Sequence, residues 1–85
     1  MKATREKLSN IADTLYKGDT TLGMAMMGTV INDLATVAMQ IDDEELKNRY
    51  INDGLTQALS AMENNDGTLL ADVISYELIE VIDAL

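Results

Sequence analysis

Residues 20–46, TTLGMAMMGTVINDLATVAMQIDDEEL, decide the fold. From Thr20 to Ile41 the only charged side chain is Asp33. Turned at about 100° per residue, Met24, Met27, Val30, Ile31, Leu34 and Val37 fall on a wide apolar face, while Thr29, Asn32, Asp33 and Thr36 form a narrow polar strip. The pattern predicts a helix over 20–40 and makes it the most buried element of the molecule. A charge placed at Ile31 is accordingly expected to unfold the chain. Asp42 followed by Glu45 has the spacing of a capping box, and Ile41 with Leu46 that of a hydrophobic staple, so a new helix is expected to open there.

The same stretch is long enough to suggest a membrane span. Asn32, Asp33 and Gln40 lie inside it, and its flanks at Asp19 and at Asp42 to Glu45 are acidic rather than basic, which favours a core helix. No membrane partner is expected. Working outward, Leu8, Ile11 and Leu15 recur at helical spacing over 3–17, and Gly18 suits the left-handed position that ends such a helix. Asp19 or Thr20 can cap the next. Over 43–64, Tyr50, Ile51, Leu55, Ala58, Leu59, Ala61 and Met62 share one side. Within that helix Gly54, Ala58 and Ala61 make a track of small residues, for which Gly23, Gly28, Ala35 and Ala38 offer a counterpart.

Asn64-Asn65-Asp66-Gly67 reads as a turn, with Asp66 or Thr68 capping a last helix over 68–84 whose seam is Leu70, Ile74, Leu78, Val81 and Leu85. The chain has no proline to interrupt any of these helices. Connections this short allow only antiparallel neighbours. The expected architecture is all-α: an antiparallel up-down four-helix bundle spanning 1–85 as one domain, or a three-helix core with the first helix docked across it.

Eighty-five residues carry fifteen acids against six bases, a net charge of −9. The sign changes along the chain. Residues 1–17 hold Lys2, Arg5, Lys7 and Lys17 against Glu6 and Asp13, whereas beyond Gly18 the only cations are Lys47 and Arg49. Such a surface repels nucleic-acid phosphates and anionic lipids, so neither is expected as a partner. A basic protein is the partner that this field would steer in. Histidine and cysteine are both absent, which removes imidazole acid–base chemistry, thiol nucleophiles, disulfides and the usual zinc ligands. A cytoplasmic location is expected, and no catalytic residue, cofactor or metal site.

The acidic motifs are consistent with that expectation. Asp42 to Glu45 point in four directions once helical, so they compensate a helix dipole better than they hold an ion. Asp53-Gly54 and Asp66-Gly67 fail as calcium loops, because counting back from each glycine puts Arg49 and Met62 at the first ligand position. Glu77 falls inside the apolar arc of the last helix, where snorkelling at the core edge or pairing with Lys47, Arg49 or a base of the first helix is the simplest expectation. On the same helix Leu69, Asp72, Tyr76, Ile79 and Asp83 form an apolar strip edged with acids, the candidate interaction surface unless the first helix covers it. Met24, Met26, Met27, Met39 and Met62 add flexible thioether, which fills gaps in a core or lines a groove for a partner helix.

The run from Ala61 to Leu78 contains Glu-Asn-x-Asp-x-x-Leu-Leu-Ala-Asp-x-x-x-Tyr-Glu-Leu and resembles a family of small, all-helical domains from Gram-positive bacteria with no assigned activity. Its matching polar positions are Glu63, Asn64, Asp66, Asp72, Tyr76 and Glu77, and Gly67 departs from the bulkier residue of the pattern. The association of relatives with motility genes implies a helper or adaptor role. Composition and resemblance together point to a non-enzymatic, acidic interaction module, an adaptor or chaperone-like binder of a partner segment, or a homodimer. The alternatives are an acidic immunity protein or inhibitor mimicking nucleic acid, and a metal-dependent hydrolase built on carboxylates such as Asp72 and Glu77 alone.

Overall fold

The computed structural model describes residues 1–85 as four helices and no strands, 35 × 23 × 19 Å in extent. They are α1 (Lys2–Tyr16), α2 (Thr20–Gln40), α3 (44–63) and α4 (67–84). Short connections reverse the chain each time, giving the expected antiparallel bundle. Gly18 carries φ +91° between α1 and α2, and Asn65 takes the left-handed conformation after α3. Asp19, Asp43 and Asp66 cap the helices that follow them, each carboxylate accepting from a backbone amide three residues on. The cap of α3 is therefore Asp43 and not Asp42. Ile41 stays extended and buried at the end of α2, which delays the helix by one residue and replaces the capping box.

α1 is a full member of the bundle rather than a lid across three helices. It lies close along both α2 and α4 and buries Leu8, Ile11, Ala12 and Leu15. Antiparallel pairing is fixed at the ends: Arg5 reaches Asp83 and Tyr16 reaches Asp72, while Lys7 reaches Asp33 on α2. α3 lies along α4, and its approach to α2 is closest around Tyr50. The neighbour order round the bundle is α2, α1, α4, α3.

Burial does not follow apolar content. α4, with α1 on one flank and α3 on the other, buries Leu70, Ala71, Val73, Ile74, Leu78, Val81 and Ile82. It is the core helix. α2 buries Gly23, Met27, Val30, Leu34 and Val37, and leaves Ile31 and Met24 only half-buried. The expectation that α2 is the most buried element is thus overturned, because one close neighbour covers only one side of a helix. Leu85, assigned to the α4 seam, is exposed just beyond the helix end.

The small residues also pair differently from expectation. Gly54 packs on Leu78 of α4, where an added Cβ would lie 2.6 Å from Leu78 Cδ2, and Gly23 packs on Leu15 of α1. Gly28 faces open space. The bulky ring of Tyr50, fully buried, fills the gap between α2 and α3 and its hydroxyl donates to the carbonyl of Leu34 at 2.8 Å.

Two stretches depart from α-helical geometry. Arg49–Leu55 in α3 and Ile74–Leu78 in α4 are π-helical, closed by bonds from Thr56 N–H to Ile51 O and from Ile79 N–H to Ile74 O. The two widened turns face each other across the α3–α4 seam. Arg49, first residue of one, reaches into the other: Nε donates to Glu77 Oε2 and Nη2 to Tyr76 O, both at 2.9 Å. Periodicity alone reads both helices as continuous, because Tyr50, Gly54, Ala58 and Ala61, and Leu70, Ile74, Leu78 and Val81, still recur at steps of three and four through the π stretches.

Candidate functional site

No charged side chain is buried, the one buried side-chain hydroxyl, that of Tyr50, is held by Leu34 O, and no three acids converge closely enough to hold a metal ion. The chemistry available to the chain is therefore that of its surface, which divides into two candidate regions.

The first is the strip on α4. Leu69 is 40% and Tyr76 64% exposed, and Ile79 is half-buried against the core. Its two acids are held by α1. Tyr16 Oη donates to Asp72 Oδ1 at 2.7 Å, and Arg5 grips Asp83 through Nε at 2.6 Å and Nη2 at 3.1 Å. The bidentate guanidinium holds the Asp83 carboxyl below its ordinary range, and Asp83 in turn raises Arg5. Ser75 favours the Tyr16 phenolate, but the bond to Asp72, burial and the Asp72 charge outweigh it and raise the Tyr16 hydroxyl. Much of what makes this strip distinctive is thus occupied in fastening α1. Glu77 is explained in the same way, by Arg49.

The second region is the solvent side of α2, which the sequence signalled only through its methionines, read as core filler or as a groove for a partner helix. On this helix Met26, Thr29 and Val30, together with Lys7, Asn10 and Ile11 of α1, line a shallow cleft of about 180 Å³. That is below the roughly 300–1,000 Å³ of small-molecule pockets. Stepping one residue onward from the buried stripe, away from α1, leads to Met24, Ile31 and Ala38, half-buried, and then to Gly28, Ala35 and Met39, exposed. Because α3 runs antiparallel to α2, the same one-residue step from its buried Tyr50, Ala58 and Ala61 leads toward α2. It gives Ile51, Leu55, Leu59 and Met62, three half-buried and Leu59 exposed.

Two apolar stripes therefore border the loosely closed α2–α3 side. Met39 is 83% exposed. No charge lies on the solvent side of α2, since Asp33 is turned to Lys7. The signal that points to this side is the excess of apolar residues on α2 over what one neighbour can cover.

A family model described as a domain of unknown function, DUF8042, matches residues 2–85. The chain belongs to this family. No curated protein and no solved structure matches it. The DUF8042 match spans all four helices, so both surfaces lie within the family domain.

Proposed function

We propose that this DUF8042 domain is a non-enzymatic, acidic interaction module that holds a segment of a partner protein in the cytoplasm, as an adaptor or chaperone-like binder. The observation that supports this reading is the uncharged outer side of α2, with Met24, Ile31 and Ala38 half-buried and Gly28, Ala35 and Met39 exposed, beside the apolar stripe of α3. Exposed Met39 and the half-buried Met24 and Met62 give that face side chains that repack at little cost around different shapes. A nucleic-acid mimic would need carboxylates along its exposed helices, and α2 supplies none there. A hydrolase would need convergent acids, and Asp72 and Glu77 are each engaged by another side chain.

Affinity capture from the native cell with wild-type chain and with Ala35→Glu tests the proposal. Ala35 is exposed on a helix, so the variant keeps the fold and charges only the open face. A protein retained by the wild type and lost by the variant is expected. Identical retention by the two would overturn it.

A further inference from the structure

The two ends of the open α2–α3 side carry charge and its middle does not. At one end Asp42, Asp43, Glu44 and Glu45 are consecutive and exposed; at the other stand Asp19 before α2, Glu63 closing α3 and Asp66 before α4, all exposed. Between them the rim is Asn48, Asn52 and Thr56 on α3 and Asn32, Ala35 and Thr36 on α2. Lys47 at the first end and Lys17, two residues before Asp19, at the other are the cations near them in sequence, against seven acids. α2 has 21 residues, so the apolar stretch between the acidic ends is about 30 Å long.

A second copy of this chain would bring acidic ends onto acidic ends whether the two molecules met parallel or antiparallel. A helix with an apolar seam and lysines or arginines at its two ends would meet opposite charge at each. Resting on the interaction reading above, we infer that the α2–α3 side receives an amphipathic helix of about 20 residues from another protein, apolar through its middle and basic at both ends. The molecule already makes one contact of this kind. α1, apolar through Leu8, Ile11 and Leu15, lies along α2 and α4 with Arg5 and Lys7 at its first end paired to Asp83 and Asp33.

Three synthetic helices with one leucine seam test this: four lysines at the ends, four glutamates at the ends, or four lysines in the middle. Titrations followed by the methyl NMR signals of the protein are expected to show the lysine-ended helix binding about tenfold tighter than either control at low salt, the gap closing as salt rises. The shifted methyls are expected to be those of Met24, Ile31, Ile51, Leu55 and Met62. Ala35→Glu is expected to weaken binding at least tenfold, and Tyr76→Ala to leave it unchanged. Equal binding by the three helices, no binding, or shifts centred on Leu69 and Tyr76 would overturn the inference. So would a dimeric mass with the same methyls shifting in the absence of peptide, which would make a second copy the occupant. Peptide failure beside continued capture of a cellular protein would remove this inference and leave the broader interaction reading standing.

Discussion

α2 and α4 are nearly equal in length and both strongly apolar, yet α4 is enclosed and α2 is half open. The difference lies in their neighbours. α4 has α1 and α3 pressed along opposite flanks, whereas α2 has α1 on one flank and on the other only a distant α3 propped away by Tyr50. Apolar composition sets how much a helix can bury; the number of close neighbours sets how much it does bury. What α4 buries in the core, α2 leaves facing solvent. α2 is also long and apolar enough to cross a bilayer, and the fold buries only its α1-facing and core-facing side.

The contrast is sharpest for a charge placed in each helix. Ile74 of α4 is fully buried, so Ile74→Asp strands a carboxylate at a cost of several kcal/mol against a total stability of about 5–15. That variant is expected to be unfolded by circular dichroism at room temperature. Ile31→Asp, on the half-open face, is expected to remain folded with a lowered melting temperature. If the two variants behave alike, the distinction between the helices fails.

Glycines make the same comparison within α2 alone. Gly23 sits against Leu15, whose Cγ an added methyl would meet at 2.6 Å, and Gly28 meets nothing. Gly23→Ala is therefore expected to destabilise by about 1–3 kcal/mol. Gly28→Ala is expected to stabilise by about 0.5–1 kcal/mol, because alanine loses less backbone entropy in a helix. Urea titrations of the pair, read at the midpoint, check both signs.

Tyr50 tests the prop between α2 and α3. Tyr50→Phe keeps the ring and loses one hydrogen bond to a carbonyl already in a helix, at about 1 kcal/mol. Burial raises the Tyr50 hydroxyl well above its ordinary value. The stability it contributes is full below the unfolded value of about pH 10 and is lost as the pH rises toward the folded one. Melting of the wild type is expected to fall more steeply than that of Tyr50→Phe on going alkaline. Parallel curves would count against a sealed Tyr50.

Asp83 gives the smallest effect and the opposite sign. Its pKa is depressed by Arg5, so its contribution is present above the unfolded value near about 4 and is lost as the pH falls through the folded value. Asp83→Asn is expected to melt slightly below the wild type at neutral pH and level with it in strong acid, as followed by calorimetry.

Much of this was legible in the chain. The four helices, their turns and the seams Leu8-Ile11-Leu15 and Leu70-Ile74-Leu78-Val81 follow from spacing and from turn residues, and two of the caps were narrowed to Asp19 or Thr20 and to Asp66 or Thr68. For Glu77 the sequence left snorkelling or one of several bases open, and the structure selects Arg49. The interaction strip was legible only as a pattern. Leu69 and Tyr76 do lie exposed, but Asp72 and Asp83 are held by Tyr16 and Arg5, residues too distant in sequence for periodicity to connect. The one-residue shift of the α3 cap from Asp42 to Asp43 goes with the burial of Ile41, and the two π stretches lie against each other where Gly54 meets Leu78, contacts that no local pattern encodes.

By itself the sequence determined the class of fold, the negative field and the absence of thiol and imidazole chemistry, because these depend on residue identity and on periods of three and four within one helix. Which apolar face stays in the open was settled by tertiary structure alone. A helix carries its hydrophobic stripes wherever it goes, but the neighbour that comes within reach of each stripe is fixed only when all four helices pack at once.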